Sequence, residues 1–114
     1  MNAAEFTVLG VDHGLNRTGY AVITQAGHKF TCLTGGTIVT TPRESLEQRL
    51  KHIYDELSAI IQQWQPGAMA VEEAIYAQNV RTALLMGQAR GAVLIAGANA
   101  GLKIAQYAPK KIKS

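Results

Sequence analysis

Apolar residues come in short β-type runs up to Val39 and at helical spacing beyond it. Phe6–Asp12 (FTVLGVD) is one such run, stopped by His13-Gly14. Thr18–Thr24 is a second, Ala26-Gly27-His28 reads as a turn, and Lys29–Val39 alternates loosely around Gly35-Gly36. Three strands joined by short loops predict an antiparallel meander.

The period then changes. Thr41 is a good N-cap, Pro42 suits the first helical position, and Glu44 completes a capping box. Leu46, Leu50, Ile53, Tyr54, Leu57, Ile60, Ile61 and Trp64 follow at helical spacing up to Pro66-Gly67. Ala68–Glu72 is a short apolar strand, expected to run parallel to an earlier one because a helix of this length makes the crossover. A second helix is predicted from about Asn79 to Asn99, with Gly101 as its stop. It is rich in alanine and glycine and apolar around much of its circumference. That predicts a sheet on one face and a second subunit on the other. Lys103–Tyr107 is a fifth strand, and Ala108-Pro109-Lys110-Lys111-Ile112-Lys113 reads as the first turn of a third helix. The order β-β-β-α-β-α-β predicts an α/β fold, a mixed five-stranded sheet flanked by helices.

Composition narrows this picture. A length of 114 residues, 47% hydrophobic and 17% charged, predicts a single folded domain over 1–114 rather than a disordered chain. No apolar run reaches the roughly 20 residues needed to span a bilayer, and the first residues lack a signal peptide's pattern. Cys32 is the single cysteine, expected in the core of the third strand rather than as a nucleophile. The expectation is a cytoplasmic protein with no membrane contact. Of the net charge of +3, the stretch from Lys103 to the end holds four lysines and no acid, while the rest is almost neutral. A basic end suits phosphate contacts or a solubilising surface.

Ligands of such sheets gather beyond the carboxyl ends of the strands, where Asp12 and Glu72 stand. If their strands are parallel neighbours, the two carboxylates lie side by side and need a proton or a cation between them. Oxygen ligands at an open edge suit Mg²⁺ or Mn²⁺. The plainer reading is that Asp12 tightens the loop to Gly14 and Glu72 is an exposed strand end. Asn79, Arg81 and Thr82 open the second helix, where a phosphate is favoured, or where a capped helix simply carries an exposed arginine. Gly10-Val11-Asp12-His13-Gly14 is also similar to the first hairpin of sugar kinases and actin-like ATPases, which are much longer chains.

Gly10–Tyr20 (GVDHGLNRTGY), Ala70–Ala74 (AVEEA), Asn79–Leu84 (NVRTAL) and Gly87–Gly91 (GQARG) together resemble RuvC-type Holliday-junction resolvases. The resemblance runs from about Phe6 to Ser114. It implies a ribonuclease H-like fold, a homodimer, and symmetric cutting of four-way DNA junctions in recombination and repair. It implies Mg²⁺, two ions per active site with Mn²⁺ as substitute, and a junction-migrating helicase partner. On the motifs, Asp12 and Glu72 match catalytic, metal-binding carboxylates. The helix with Leu84, Gly87, Gln88 and Gly91 matches the dimer helix, and Lys113 a DNA-contacting lysine, with Lys111 beside it. Arg90, amid small residues, is expected to bond backbone carbonyls or reach across the dimer.

Three departures stand out. His13 replaces the proline of the family's D-P-G turn. Ile75 stands where many members carry a base-stacking aromatic, leaving Tyr76 as the DNA-contacting alternative. The family's remaining metal-binding residues lie on a C-terminal helix that follows the fifth strand. The chain is therefore expected to lack that helix and to be inactive or nearly so. Two rivals carry over: a dimeric junction-binding protein that does not cut, and an actin-like ATP-binding fragment.

Overall fold

The computed structural model describes residues 6–73 and 77–107. The elements are β1 (Phe6–Asp12), β2 (Arg17–Ala26), β3 (Lys29–Val39), α1 (Leu46–Trp64), β4 (Ala68–Glu72), α2 (Val80–Asn99) and β5 (Lys103–Tyr107). This is the predicted order. The sheet runs β3-β2-β1-β4-β5. β1, β2 and β3 form the antiparallel meander, and β4 pairs parallel with both β1 and β5. The third-helix reading, Tyr76, Lys111 and Lys113 all lie outside the described residues.

Side chains alternate across a strand, so one face of the sheet carries Leu9, Val11, Val22, Met69 and Val71, all buried. Against them pack Ile53, Leu57 and Ile61 of α1 and Ala89, Val93 and Ala96 of α2. Trp64 packs on the edge of this core, as expected of a residue at the helix end.

The caps show where local signals competed. Ser45, not Thr41, caps α1: its Oγ accepts from Gln48 N at 3.3 Å. Thr41 closes a turn just before, with Arg43 N donating to its Oγ1 and Glu44 N to its carbonyl. Ser45-Leu46-Glu47-Gln48 is itself a capping-box pattern. Arg49, Ile53, Leu57 and Ile61 form the buried side of this helix. Gln65 ends α1 in the left-handed region (φ 51°) ahead of Pro66. Asn79 caps α2 as expected, its Oδ1 accepting from Thr82 N at 2.9 Å.

Cys32 is exposed, against the expected core position. β3 is an edge strand, and its register slips beside Ile23, the residue opposite Cys32. Of β3 only Ile38 is buried.

Small residues let α2 lie close to the sheet. A Cβ on Gly97 would stand 2.9 Å from Met69 Sδ and 3.2 Å from Ile104 Cδ1, whereas one on Gly91 would meet nothing within 4 Å. In urea unfolding at one fixed concentration, Gly97→Val is expected to cost about 1–3 kcal/mol. Gly91→Ala is expected to gain about 0.5–1 kcal/mol from helix propensity.

Candidate functional site

The last paired positions of the parallel β1–β4 ladder are Val11 and Val71. Asp12 and Glu72 are each one residue further on, so they stand side by side at the carboxyl edge, with strand axes about 4.8 Å apart. Val11 and Val71 point into the core, so both carboxylates project from the opposite face. Asp12 is exposed and Glu72 half-buried. Neither carboxylate takes a hydrogen bond or ion pair from a described residue. Across β1, Asp12 faces Gly19, whose missing side chain leaves space beside it.

The loop after Asp12 is held from several directions. Thr18 Oγ1 donates to Gly14 O at 2.7 Å. Thr40 N donates to Asn16 O at 3.0 Å, and Thr40 Oγ1 to Leu15 O at 2.5 Å. Arg49 of α1 completes the clamp, with Nε donating to Thr40 Oγ1 at 2.9 Å and Nη2 to Asn16 Oδ1 at 2.5 Å. Gly14 is required here, because a Cβ on it would stand 2.4 Å from Arg17 O. His13 is turned inward at 7% exposure, and its buried Nδ1 has no hydrogen-bond partner among the described residues. A proline at that place would carry no such polar atom.

The end of β4 is held from α2. Arg90 Nε donates to Glu72 O at 3.1 Å, and its Nη2 donates to Gln106 Oε1 of β5. Arg90 thus bonds a backbone carbonyl, as the sequence suggested, and that carbonyl belongs to Glu72 itself.

Asn79, Arg81 and Thr82 gather at the exposed start of α2. The cap already uses Asn79 Oδ1 and Thr82 N, so Arg81 is the group there with charge to offer. Arg81 and Thr82 line a cleft of about 630 Å³ together with Gly14, Asn16, Arg17 and Arg49. The sequence reading assigned nothing to Arg17 or Arg49. One signal was present: Arg49 keeps step with Ile53, Leu57 and Ile61, so an arginine occupies a core-facing position.

On the outer side of α2, Leu84, Gln88 and Gly91 are exposed and Gly87 is half-buried. Val80 (75%), Leu84 (64%) and Ile95 (49%) leave much apolar surface open on this helix. Among the described residues no group of three or more His, Cys, Asp or Glu comes together, and no helix is long and apolar enough to cross a membrane.

Residues 8–114 match the family described as crossover junction endodeoxyribonuclease RuvC. A curated relative of that name from Treponema pallidum is 45% identical over 106 residues, which are 93% of this chain and 54% of the relative. The chain thus spans about half that relative's length. The structure of Thermus thermophilus RuvC in complex with a Holliday junction substrate superposes with a TM-score of 0.86 at 30% identity, covering 95% of this chain and 68% of that one. The yeast mitochondrial Holliday junction resolvase Ydc2 superposes with a TM-score of 0.61 at 14% identity, covering 90% and 53%, which shows a shared fold. That fold is ribonuclease H-like.

Like charges directly across a ladder destabilise it. In metal-free buffer, Asp12→Asn is therefore expected to raise stability by about 0.2–1 kcal/mol. Added Mg²⁺ should stabilise the unsubstituted chain and narrow the gap, which thermal unfolding of both proteins will read. Gly14→Ala is expected to cost about 1–3 kcal/mol, measured by urea unfolding, because backbone must move to admit the methyl group.

Proposed function

The chain belongs to the RuvC family of crossover junction endodeoxyribonucleases, and we propose that it supplies the DNA-binding face and two catalytic carboxylates for metal-dependent cutting of four-way junctions. The observation that carries this reading is the parallel β1–β4 pairing, which sets Asp12 beside Glu72 with no described cation to neutralise them. Two adjacent carboxylates on an open edge are a donor set suited to Mg²⁺, with Mn²⁺ as substitute. A divalent cation bound there would supply the Lewis-acid chemistry of phosphodiester hydrolysis.

The chain's own residues do the rest. Asp12 and Glu72 hold the charge, and Arg90 pins the strand end that carries Glu72. Gly14 and the clamped loop behind it leave room for a sugar–phosphate backbone to approach Asp12. Arg81 offers a phosphate contact from the start of α2, a role that Lys111 and Lys113 would share. Tyr76 would stack on an unpaired base. The stripe Leu84–Gln88–Gly91, with Gly87 beside it, is the dimer face, which would set two active sites against two opposed strands. A junction-migrating helicase complex is the expected partner, and the cytoplasm the place of action.

Two carboxylates are the acidic ligands the described residues bring together at this edge. The 114-residue chain is accordingly expected to retain four-way DNA over duplex of the same sequence in gel-shift assays, with or without Mg²⁺, while cutting it slowly or not at all. Equal binding to duplex would count against the reading. So would thermal stabilisation by ATP without stabilisation by four-way DNA, which favours the ATP-binding alternative. Vigorous Mg²⁺-dependent cutting would show that Asp12 and Glu72 suffice, and Asp12→Asn should then abolish it with binding intact. Leu84→Glu is expected to convert a dimer to monomer in sedimentation velocity without unfolding it, since residue 84 is exposed in the single chain.

A further inference from the structure

The cleft between the β1–β2 loop and the start of α2 is lined by three arginines from three elements: Arg17 on β2, Arg49 on α1 and Arg81 on α2. Among the described residues no carboxylate lines it. The one ion pair among the described residues joins Lys51 to Asp55 on the outside of α1, so none of the three arginines is paired with an acid.

Arg49 is the unusual member. It is 8% exposed, and its two hydrogen bonds go to a hydroxyl and an amide oxygen, both neutral. With Nε and Nη2 so engaged, Arg49 is still one of the residues that line the cleft. A guanidinium so far out of water without a counter-charge is costly, and an anion entering the cleft would relieve it. A guanidinium matches phosphate oxygens in a fork of two parallel bonds. Thr82, also on the cleft wall, adds a hydroxyl. Gly14, on the cleft wall, follows Asp12 by two residues along the loop that leaves β1.

We infer that this arginine cleft is a phosphate-binding subsite, taking a DNA backbone phosphodiester that flanks the one at Asp12 and Glu72. The inference rests on the junction-binding reading in naming DNA as the source of the phosphate. Arg49, locked by Thr40 and Asn16, is the preformed member of the site. Arg17 and Arg81, both exposed, close on the ligand from either side.

The test follows the arginine Nε–H resonances of the isotopically labelled full chain, titrated separately with inorganic phosphate and with four-way DNA. Arg49 Nε–H, protected by its bond to Thr40, is a built-in reporter. Both ligands are expected to shift the Arg17, Arg49 and Arg81 signals. Arg17→Ala should abolish the phosphate response and lower the salt slope of junction binding by about 0.9 per protomer, one phosphate contact. Junction binding that leaves all three signals unmoved, or an unchanged slope in Arg17→Ala, would overturn the subsite and leave the junction reading standing. A phosphate response without junction binding would uphold the site and remove DNA as its source. No response to either ligand would overturn the site outright.

Discussion

The parallel pairing of β1 with β4 is the constraint on which the rest of the structure depends. Among the described residues it is the one strand pairing that joins the N-terminal meander to the later strands. It fixes a register in which Val11 meets Val71 in the core and, one step on, Asp12 meets Glu72 outside it. A slip of one residue would turn every side chain of β4 to the other face. It would expose Met69 and Val71 and bury Glu72. Core burial therefore selects the alignment that forces two like charges together at the open edge of the sheet.

The elements around this edge hold it from opposite sides. On the β1 side, Arg49 and Thr40 reach the β1–β2 loop from the segment that starts α1. On the β4 side, Arg90 reaches Glu72 O from α2. Both anchors are arginines, whose planar forks keep two bonds in fixed relation. Among the described residues the carboxylates thus have no side-chain partner, while the backbone beneath them is braced. Such an arrangement suits side chains meant to meet a ligand rather than one another.

α2 serves three surfaces at once, and its composition follows from that. Ala89, Val93, Ala96 and Gly97 let it sit close on the sheet. Its outward stripe through Leu84 and Ile95 keeps apolar area exposed. Its first turn brings Arg81 to the cleft that Arg49 lines. A helix with so little polar surface has a weak amphipathic signal, so the expectation of a second partner rests on its apolar circumference and not on its periodicity.

Much of the fold was legible in the chain because it rests on local physics. Strand runs, the change of period near Pro42, the Asn79 cap and the stop at Gly101 are set by residues within a few positions of one another. Asp12 and Glu72 could be picked out because each ends an apolar strand. Other features were decided only when distant segments met. Thr41 and Ser45 both carry capping chemistry, and the helix starts at Ser45, after Thr40 has bonded to the distant Leu15 and Asn16 carbonyls. Cys32 has a core residue's chemistry but lies on the open edge of the sheet. Arg49 meets Asn16, 33 positions away, and Arg90 meets Glu72, 18 positions away. Backbone period and capping are properties of a neighbourhood in sequence. What a buried charge touches depends on which strands and helices are stacked, and the tertiary structure alone decides that.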